Sequence, residues 1–153
     1  MSLINDRLKQ LNIVLPAAPT PAANYVPYVK SNKLIFVSGQ IPMLNGELVT
    51  GKIGKNIEIE DAKTAARLCG LAIVSQLNEA TDLDLDKIKR IVKLGGFVNC
   101  IDEFTQQPEI INGASDLMVE VFGDKGKHSR FAVGTNSLPR NVVVEIEAVA
   151  EIQ

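Results

Sequence analysis

Apolar and polar residues alternate with two different periods along this chain. Residues 59–80 carry apolar side chains at helical spacing, and acidic residues crowd the first turn, where the positive end of the helix dipole favours them. A second helical pattern covers residues 109–122 and is followed by Gly123, which suits a C-terminal cap. In residues 144–152 the period is two, so that one face is apolar and the other acidic, as in a half-buried strand. These patterns predict two long helices that pack on a sheet.

Further segments complete the predicted sheet. Residues 25–42 read as two strands joined near the sequence KSNK, and residues 87–100 are rich in β-forming side chains. Within this last segment, Gly95 and Gly96 indicate either a bulge or a close approach of the backbone. Residues 43–56 are predicted as a glycine-rich loop with room for an edge strand. The fold class is therefore α+β, with an antiparallel or mixed sheet and two helices packed on one face.

The chain begins with a segment of different composition. Residues 2–12 place apolar side chains on one face of a short helix, with Ser2 as its cap. The proline-rich strap, residues 15–24, carries three prolines within six positions and is expected to run extended over the surface. We therefore divide the chain into an N-terminal helix and strap, residues 1–24, and a main domain, residues 25–153.

Composition and charge narrow the classes of function. The chain has 153 residues, 46% of them hydrophobic, which is ordinary for one globular domain. A net charge of −2 and the lack of a basic stripe argue against a nucleic-acid partner. The two cysteines and the absence of a secretion signal favour the reducing cytoplasm. No apolar run approaches the roughly 20 residues that cross a bilayer, so we expect no membrane partner.

Several kinds of catalytic site lack their motifs in this sequence. One histidine and two cysteines without ligand spacing argue against a catalytic metal. The sequence GKIGKN has the spacing of neither a phosphate loop nor a dinucleotide fingerprint, and no serine lies in a GxSxG motif. Cys100 ends a predicted strand, where a structural thiol is the commoner state.

Arg130 is the residue that the strand pattern leaves to be explained. In a strand it shares a face with Ala132 and Gly134, which are small enough to leave room for a ligand. A guanidinium is a planar fork of donors that matches a carboxylate, so Arg130 is a candidate clamp for a small carboxylate substrate. The alternative is an ion pair with an acid of the neighbouring strand, Glu145 or Glu147. The pattern alone leaves both interpretations open.

Four short motifs, taken together, resemble a known family. They are SGQIP at 38–42, FVN at 97–99, an arginine eight residues before LP, and VEIEA at 144–148. In this order and spacing they resemble the YjgF/Rid family of reactive-intermediate deaminases, from Tyr25 to the C-terminus. The resemblance implies a chorismate-mutase-like fold, assembled as a homotrimer with a cleft at each subunit interface. In well-studied members that cleft hydrolyses the imine or enamine of a small amino acid to a 2-oxo acid and ammonia, with no cofactor.

The resemblance also assigns roles to residues. Arg130 matches the arginine that grips the substrate carboxylate, and Glu145 the glutamate that holds the attacking water. Tyr25, Ser38 and Asn112 match residues that line the pocket.

The sequence departs from the family pattern beside the arginine and in two added segments. Ala132 stands where the family has a cysteine, and bulky Phe131 replaces a small polar residue. The strap and the longer connection at 104–110 could cover the pocket or thicken the fold, and we expect the second. We expect His128, at a strand start, to be exposed and structural.

Two functions other than deamination stay open at this point. One is a non-catalytic module that binds a 2-oxo acid or a similar metabolite. The other is a ribonuclease or translation inhibitor, against which the lone histidine, the acidic balance and the lack of an aromatic strip argue.

Overall fold

The computed structural model describes residues 2–21 and 23–153, and a five-stranded mixed sheet forms its centre. The strands, in chain order, are β1 (Tyr28–Ser31), β2 (Leu34–Gln40), β3 (Met43–Leu44), β4 (Glu47–Leu48), β5 (Ile88–Asn99), β6 (Ser129–Thr135) and β7 (Val144–Ile152). The central sheet has the order β1-β2-β7-β5-β6, and β3 and β4 pair separately. Only the β5–β6 pair is parallel. A mixed sheet was one of the two predicted alternatives, and it is confirmed.

Three helices accompany the sheet: α1 (Leu3–Gln10), α2 (Ile59–Ala80) and α3 (Gln107–Phe122). Helices α2 and α3 pack side by side and cover one face of the sheet, as predicted. Helix α3 begins two residues earlier than its hydrophobic pattern indicated, because Pro108 is well suited to a first helical turn. In the part of the chain that the structure describes, no helix is long and apolar enough to cross a membrane.

Strand β7 divides the molecule into a buried side and an open side. Its alternate residues Val144, Ile146, Ala148 and Ala150 are buried beneath the helices. The residues between them face the opposite side, which no element of the described chain covers. We call this side the open face.

Gly95 and Gly96 in β5 allow side chains to approach the sheet from both sides. A Cβ on Gly95 would lie 2.6 Å from Cζ of Phe131, and one on Gly96 would lie 2.6 Å from Cδ1 of Ile111. The irregularities in the register of β5 fall earlier, between Ile88 and Lys93. The close approach is therefore confirmed, and the alternative prediction of a bulge at the two glycines is wrong.

Helix α1 docks on the main body by its first turn. Its Ser2 cap accepts a hydrogen bond from the backbone N–H of Asn5 at 3.3 Å, as predicted. The N–H groups of Leu3 and Ile4 donate to the carboxylate of Asp86 at 2.8 and 2.9 Å. Ile4 also joins the hydrophobic core of the main domain. The division of the chain at residue 25 stays a prediction.

The strap is attached to α2 by two hydrogen bonds. The hydroxyl of Ser75 donates to the carbonyl of Pro16 at 2.9 Å, and Nε2 of Gln76 donates to the carbonyl of Pro19 at 2.6 Å. Both donors are buried side chains of α2. The strap therefore follows a fixed path across the helix.

A buried amide, that of Asn99, joins the end of β5 to two loops. Its Nδ2 donates to the carbonyls of Gly51 and Val142 at 3.1 and 3.2 Å and lies 3.3 Å from Oδ1 of Asn141. Asn99 is only 2% exposed, so water cannot replace these contacts. The asparagine of the FVN motif thus has a structural role, because it joins β5 to two loops.

Substitution of Asn99 by aspartate should destabilise the fold strongly. The carboxylate offers no N–H and would face the oxygens of Gly51 and Val142 in a buried site. We expect the free energy of unfolding, measured in urea, to fall by about 3 kcal/mol. Asn56→Asp is the matched control, because Asn56 uses only its Oδ1, which accepts from Lys52 N–H. Equal losses in the two variants would contradict the assignment.

Docking of α1 should weaken in acid. Burial acts to raise the pKa of Asp86, but hydrogen bonds from the N–H groups of Ile4 and Leu3 outweigh it, and the pKa lies below its usual value. The stability that this carboxylate contributes is therefore present above the ordinary aspartate pKa and is lost as pH falls through the lower folded value.

The comparison of wild type with Asp86→Asn across pH measures this loss. The difference in the free energy of unfolding should be constant above about pH 5 and shrink in more acidic buffer. Asp102→Asn, at an exposed position, is the control variant. A difference that is independent of pH throughout would contradict the role of the Asp86 carboxylate.

Candidate functional site

Arg130 lies on β6, at the edge of the sheet, and its side chain reaches toward α3. Nη1 donates to the hydroxyl of Ser115 at 3.0 Å, and Nη2 donates to the carbonyl of Pro108 at 3.3 Å. The predicted alternative, an ion pair with Glu145 or Glu147, is wrong. Those two residues belong to β7, which β5 separates from β6, and they lie on the open face.

The guanidinium of Arg130 keeps donors free for a ligand. It has five N–H donors, of which α3 occupies two, and the residue is half-buried. Pro108, Asn112 and Ser115 are four and then three residues apart, so they lie on one face of α3. The side chain of Asn112 makes no hydrogen bond within residues 2–21 and 23–153. We call Arg130, Asn112, Ser115 and the Pro108 carbonyl the arginine half-site.

Glu145 lies on the open face of β7 in a half-buried position. Burial raises the pKa of its carboxyl group above the usual glutamate value. Within the described chain no side chain or backbone group donates a hydrogen bond to it. Its Oε1 rests against the backbone of Gly39, where any Cβ would collide with it. The glycine of the SGQIP motif has no Cβ and therefore leaves room for this carboxylate.

Two other predicted residues line the same groove as Glu145. Tyr25 is 51% exposed and lies beside Ser38 in a groove of about 220 Å³. The hydroxyl of Ser38 donates to the carbonyl of Val26 at 2.8 Å, so Ser38 holds the segment that carries Tyr25. We call Tyr25, Ser38, Gly39 and Glu145 the glutamate half-site.

The two added segments both reach the candidate site. Pro19, Thr20 and Pro21 of the strap line the groove of the glutamate half-site. The longer connection at 104–110 supplies the Pro108 carbonyl that holds Arg130. Our expectation that these segments only thicken the fold is therefore wrong. Neither contact could be predicted from the sequence. A hydrogen bond to a backbone carbonyl, and prolines that line a groove, correspond to no recognisable pattern of residues.

One chain does not bring the two half-sites together. Arg130 and Glu145 belong to strands two positions apart in the sheet, about 10 Å, and their side chains leave it on opposite faces. Of the predicted site residues, the structure joins Tyr25, Ser38 and Glu145 in one place and Asn112 and Arg130 in another.

The neighbours of Arg130 in sequence take different sides of the sheet. Phe131 lies on the open face, where its ring packs edge-on against Phe97 with centroids 5.3 Å apart. It therefore points away from the arginine half-site. His128 is half-buried, and its Nε2 lies 2.9 Å from the hydroxyl of Ser115, so our expectation of an exposed histidine is wrong. Ser115 could have been found from its helical spacing to Asn112.

Neither cysteine is placed for nucleophilic chemistry. Cys69 and Cys100 are buried free thiols. Burial, followed by the charge of Glu145, raises the pKa of Cys69 well above its usual value, which disfavours the reactive thiolate. Among the residues that the structure describes, no group of three or more His, Cys, Asp or Glu side chains could hold a metal ion.

Comparison with known proteins identifies the family. The sequence model described as "YjgF/chorismate mutase-like, putative endoribonuclease" matches residues 5–152. The chain belongs to this family. The resemblance predicted from the SGQIP, FVN and VEIEA motifs, and the chorismate-mutase-like α+β fold, are thereby confirmed. The model includes most of the segment that precedes residue 25.

Members of the YjgF family similar to this chain have diverse names. Protein TCP17 of Trypanosoma cruzi is 46% identical over 147 residues, which cover 95% of this chain and 91% of that protein. The crystal structure of Atu1372, a protein with unknown function from Agrobacterium tumefaciens, is 47% identical with a TM-score of 0.91 and covers 98% of this chain and 92% of that one. The 2-iminobutanoate/2-iminopropanoate deaminase of Dermatophagoides farinae is 29% identical and covers 92% and 95% respectively.

Glu145→Gln should stabilise the fold at neutral pH. Because the folded-state pKa is raised, the wild type loses stability as pH rises from the ordinary glutamate value through the raised one. Glutamine removes the half-buried charge, and we expect the Tm at pH 7 to rise by about 2 °C. The gain should vanish at about pH 4, where the carboxyl group is protonated in the folded state.

Glu147→Gln is the control for this measurement, since Glu147 lies exposed on the same strand and face. An equal gain in both variants would show that general charge reduction, and not the burial of Glu145, is responsible.

Proposed function

We propose that this protein hydrolyses small 2-imino and enamino acids to 2-oxo acids and ammonia, in clefts where the arginine half-site of one copy meets the glutamate half-site of the next. The observation that carries this proposal is that one chain holds both halves of a site but keeps them apart. Among the described residues, Arg130 has free donors, Glu145 has a raised pKa, and neither forms an ion pair. Arg140 lines the groove of Glu145 but does not pair with it. In the proposed cleft, a second copy brings a glutamate half-site to Arg130 and an arginine half-site to Glu145.

The arginine half-site supplies substrate binding in this proposal. A carboxylate accepts two parallel hydrogen bonds from a guanidinium, and this arrangement fixes both its position and its plane. Asn112, on the same helix face as the two groups that hold Arg130, offers an amide to the imine nitrogen or to the carboxylate. Together they select a small acid with its reacting carbon next to the carboxylate.

The glutamate half-site supplies the proton transfers. A water oxygen bonds to C2 of the protonated imine while the water proton passes to Glu145 and the C=N electron pair moves to nitrogen. Glu145 then returns the proton to nitrogen, the C–N bond breaks, and ammonia leaves as the C2 hydroxyl loses its proton to Glu145 and becomes a carbonyl. A carboxylate with a raised pKa holds a proton more readily than an ordinary glutamate does, which suits both steps. No covalent nucleophile is needed, because a protonated imine is already electrophilic.

The open face supports the assembly that this proposal requires. It carries large apolar side chains that the described chain leaves exposed: Val29, Phe36, Phe97 and Val133. Burial of such a face against further copies removes apolar surface from water. We propose the homotrimer that the family resemblance implies. The deaminase of Dermatophagoides farinae, as a relative that covers nearly the whole chain, further supports the choice of substrate.

The second candidate function is non-catalytic binding of a 2-oxo acid. Ala132 stands where the resemblance places a cysteine, and the arginine half-site alone suffices to hold a carboxylate. A binding module would be stabilised against heat by 2-oxobutanoate but would not accelerate imine hydrolysis.

Imine hydrolysis can be measured with a pyridoxal-phosphate-dependent threonine dehydratase that releases 2-aminocrotonate. We expect the protein to accelerate 2-oxobutanoate formation, and Arg130→Ala and Glu145→Gln each to lose at least about 100-fold in rate. Arg90→Ala, at an exposed arginine of β5, is the matched control and should retain full activity. Heat stabilisation by 2-oxobutanoate without acceleration would favour the binding module instead.

Mixing the two inactive variants tests whether the cleft joins two copies. After denaturation and joint refolding of Arg130→Ala with Glu145→Gln, about one quarter of the clefts should combine an intact arginine with an intact glutamate. Activity should therefore reappear at about that fraction of wild type. No recovery, in a mixture shown to contain mixed oligomers, would contradict an inter-subunit site.

A further inference from the structure

Ser115 lies between the guanidinium of Arg130 and the ring of His128. Its hydroxyl oxygen is 3.0 Å from Nη1 of Arg130 and 2.9 Å from Nε2 of His128. On the far side of the ring, Nδ1 of His128 is 2.6 Å from the carbonyl of Gly126. The four groups form one continuous chain of hydrogen bonds from the turn after α3 to the edge strand β6.

When the imidazole of His128 is neutral, the chemistry of the end groups fixes the direction of every hydrogen bond in this series. A carbonyl oxygen only accepts, so Nδ1 of His128 carries a proton and donates to Gly126. In the neutral ring Nε2 is then an acceptor, and the Ser115 hydroxyl donates a hydrogen bond to it. A guanidinium only donates, so the lone pairs of Ser115 face Nη1 of Arg130. Every donor in the chain meets an acceptor, and no bond competes with another.

This order matters because an arginine side chain is long and loses much rotational freedom when it is fixed. An arginine side chain carries substantial rotamer entropy, which is lost when the guanidinium is held in one orientation. Without His128 the Ser115 hydroxyl could rotate its proton toward Nη1 and stop accepting from it. While the neutral ring of His128 accepts its hydrogen bond, the hydroxyl presents a lone pair to Arg130.

We infer that Ser115 and His128 are positioning residues for Arg130: the Gly126–His128–Ser115 chain fixes the rotation of the guanidinium before a carboxylate arrives. The inference rests on the proposed function for the identity of the ligand, but the ordering of Arg130 can be observed without any ligand. A guanidinium that is already fixed binds a planar anion without a further loss of side-chain entropy.

The first test measures the chain of hydrogen bonds by NMR. His128 is the only histidine in the sequence, so ¹⁵N-histidine labelling reports on it alone. We expect the neutral ring to carry its proton on Nδ1. Labelling of the five arginines, with Arg130→Lys to assign the signal, should show slowed rotation of the Arg130 guanidinium. Ser115→Ala and His128→Ala should both speed this rotation, although the hydrogen bond from Nη2 to the Pro108 carbonyl remains. Ser115→Thr, which keeps the hydroxyl, should not speed it.

The second test measures binding of 2-oxobutanoate by calorimetry. Ser115→Ala should weaken binding about tenfold, the loss of one hydrogen bond to a charged group, and His128→Ala by a smaller factor. Ser129→Ala is the matched control: Ser129 adjoins Arg130 in sequence, but its hydroxyl donates to the carbonyl of Val92 at 3.0 Å. It should leave both the guanidinium signal and the binding constant unchanged.

The outcomes separate this inference from the proposed function. If the Arg130 signal is the same in wild type, Ser115→Ala and His128→Ala, the positioning role is overturned. It is overturned equally if the guanidinium loosens in both variants while the binding constant of an active wild type stays the same. If the wild type neither binds 2-oxobutanoate nor hydrolyses imines, but the variants loosen Arg130, the proposed function fails and the positioning of Arg130 stands for another anion.

Discussion

The alternation of side chains along β7 is the constraint on which the other features depend. This strand lies in the middle of the sheet, so its apolar residues must face the helices if the core is to form, and Val144 and Ile146 do so. Glu145, which lies between them, is then forced onto the open face. Because β5 separates β7 from β6, Arg130 is held apart from Glu145 however the loops are arranged. The packing of the core thus keeps the two charged groups apart within one chain.

The sequence predicted the elements well because their patterns are set by burial. Helix α2 occupies the predicted residues 59–80, and the alternation of 144–152 identified which side of β7 is buried. The choice between a bulge and a close approach at Gly95 could not be made in advance, because it depends on which side chains of β6 and α3 arrive there. Local periodicity does not contain that information.

The residues of the candidate site that the motifs identify were predictable, the uncharged Tyr25, Ser38 and Asn112 included. The groups that support Arg130 and Glu145 were not. The Pro108 carbonyl is a backbone atom, and the role of Gly39 depends on a contact with a strand more than 100 residues away. His128 was misjudged because its position next to a strand start suggested exposure, whereas the turn after α3 carries it back against Ser115. Such contacts form only in the tertiary fold, so they cannot be predicted from the residues that lie next to them in the sequence.

The route of the strap has a consequence for how this scaffold can diversify. Pro19 to Pro21 form one wall of the groove beside Glu145, yet they belong neither to the sheet nor to the two large helices. Their position is maintained by hydrogen bonds from Ser75 and Gln76 on α2 to the carbonyls of Pro16 and Pro19. Changes in length or sequence at this end of the chain can therefore reshape the space above the carboxylate while the core and its charged residues stay untouched. The shape of the groove and the packing of the core are thus set largely by different parts of the same short polypeptide.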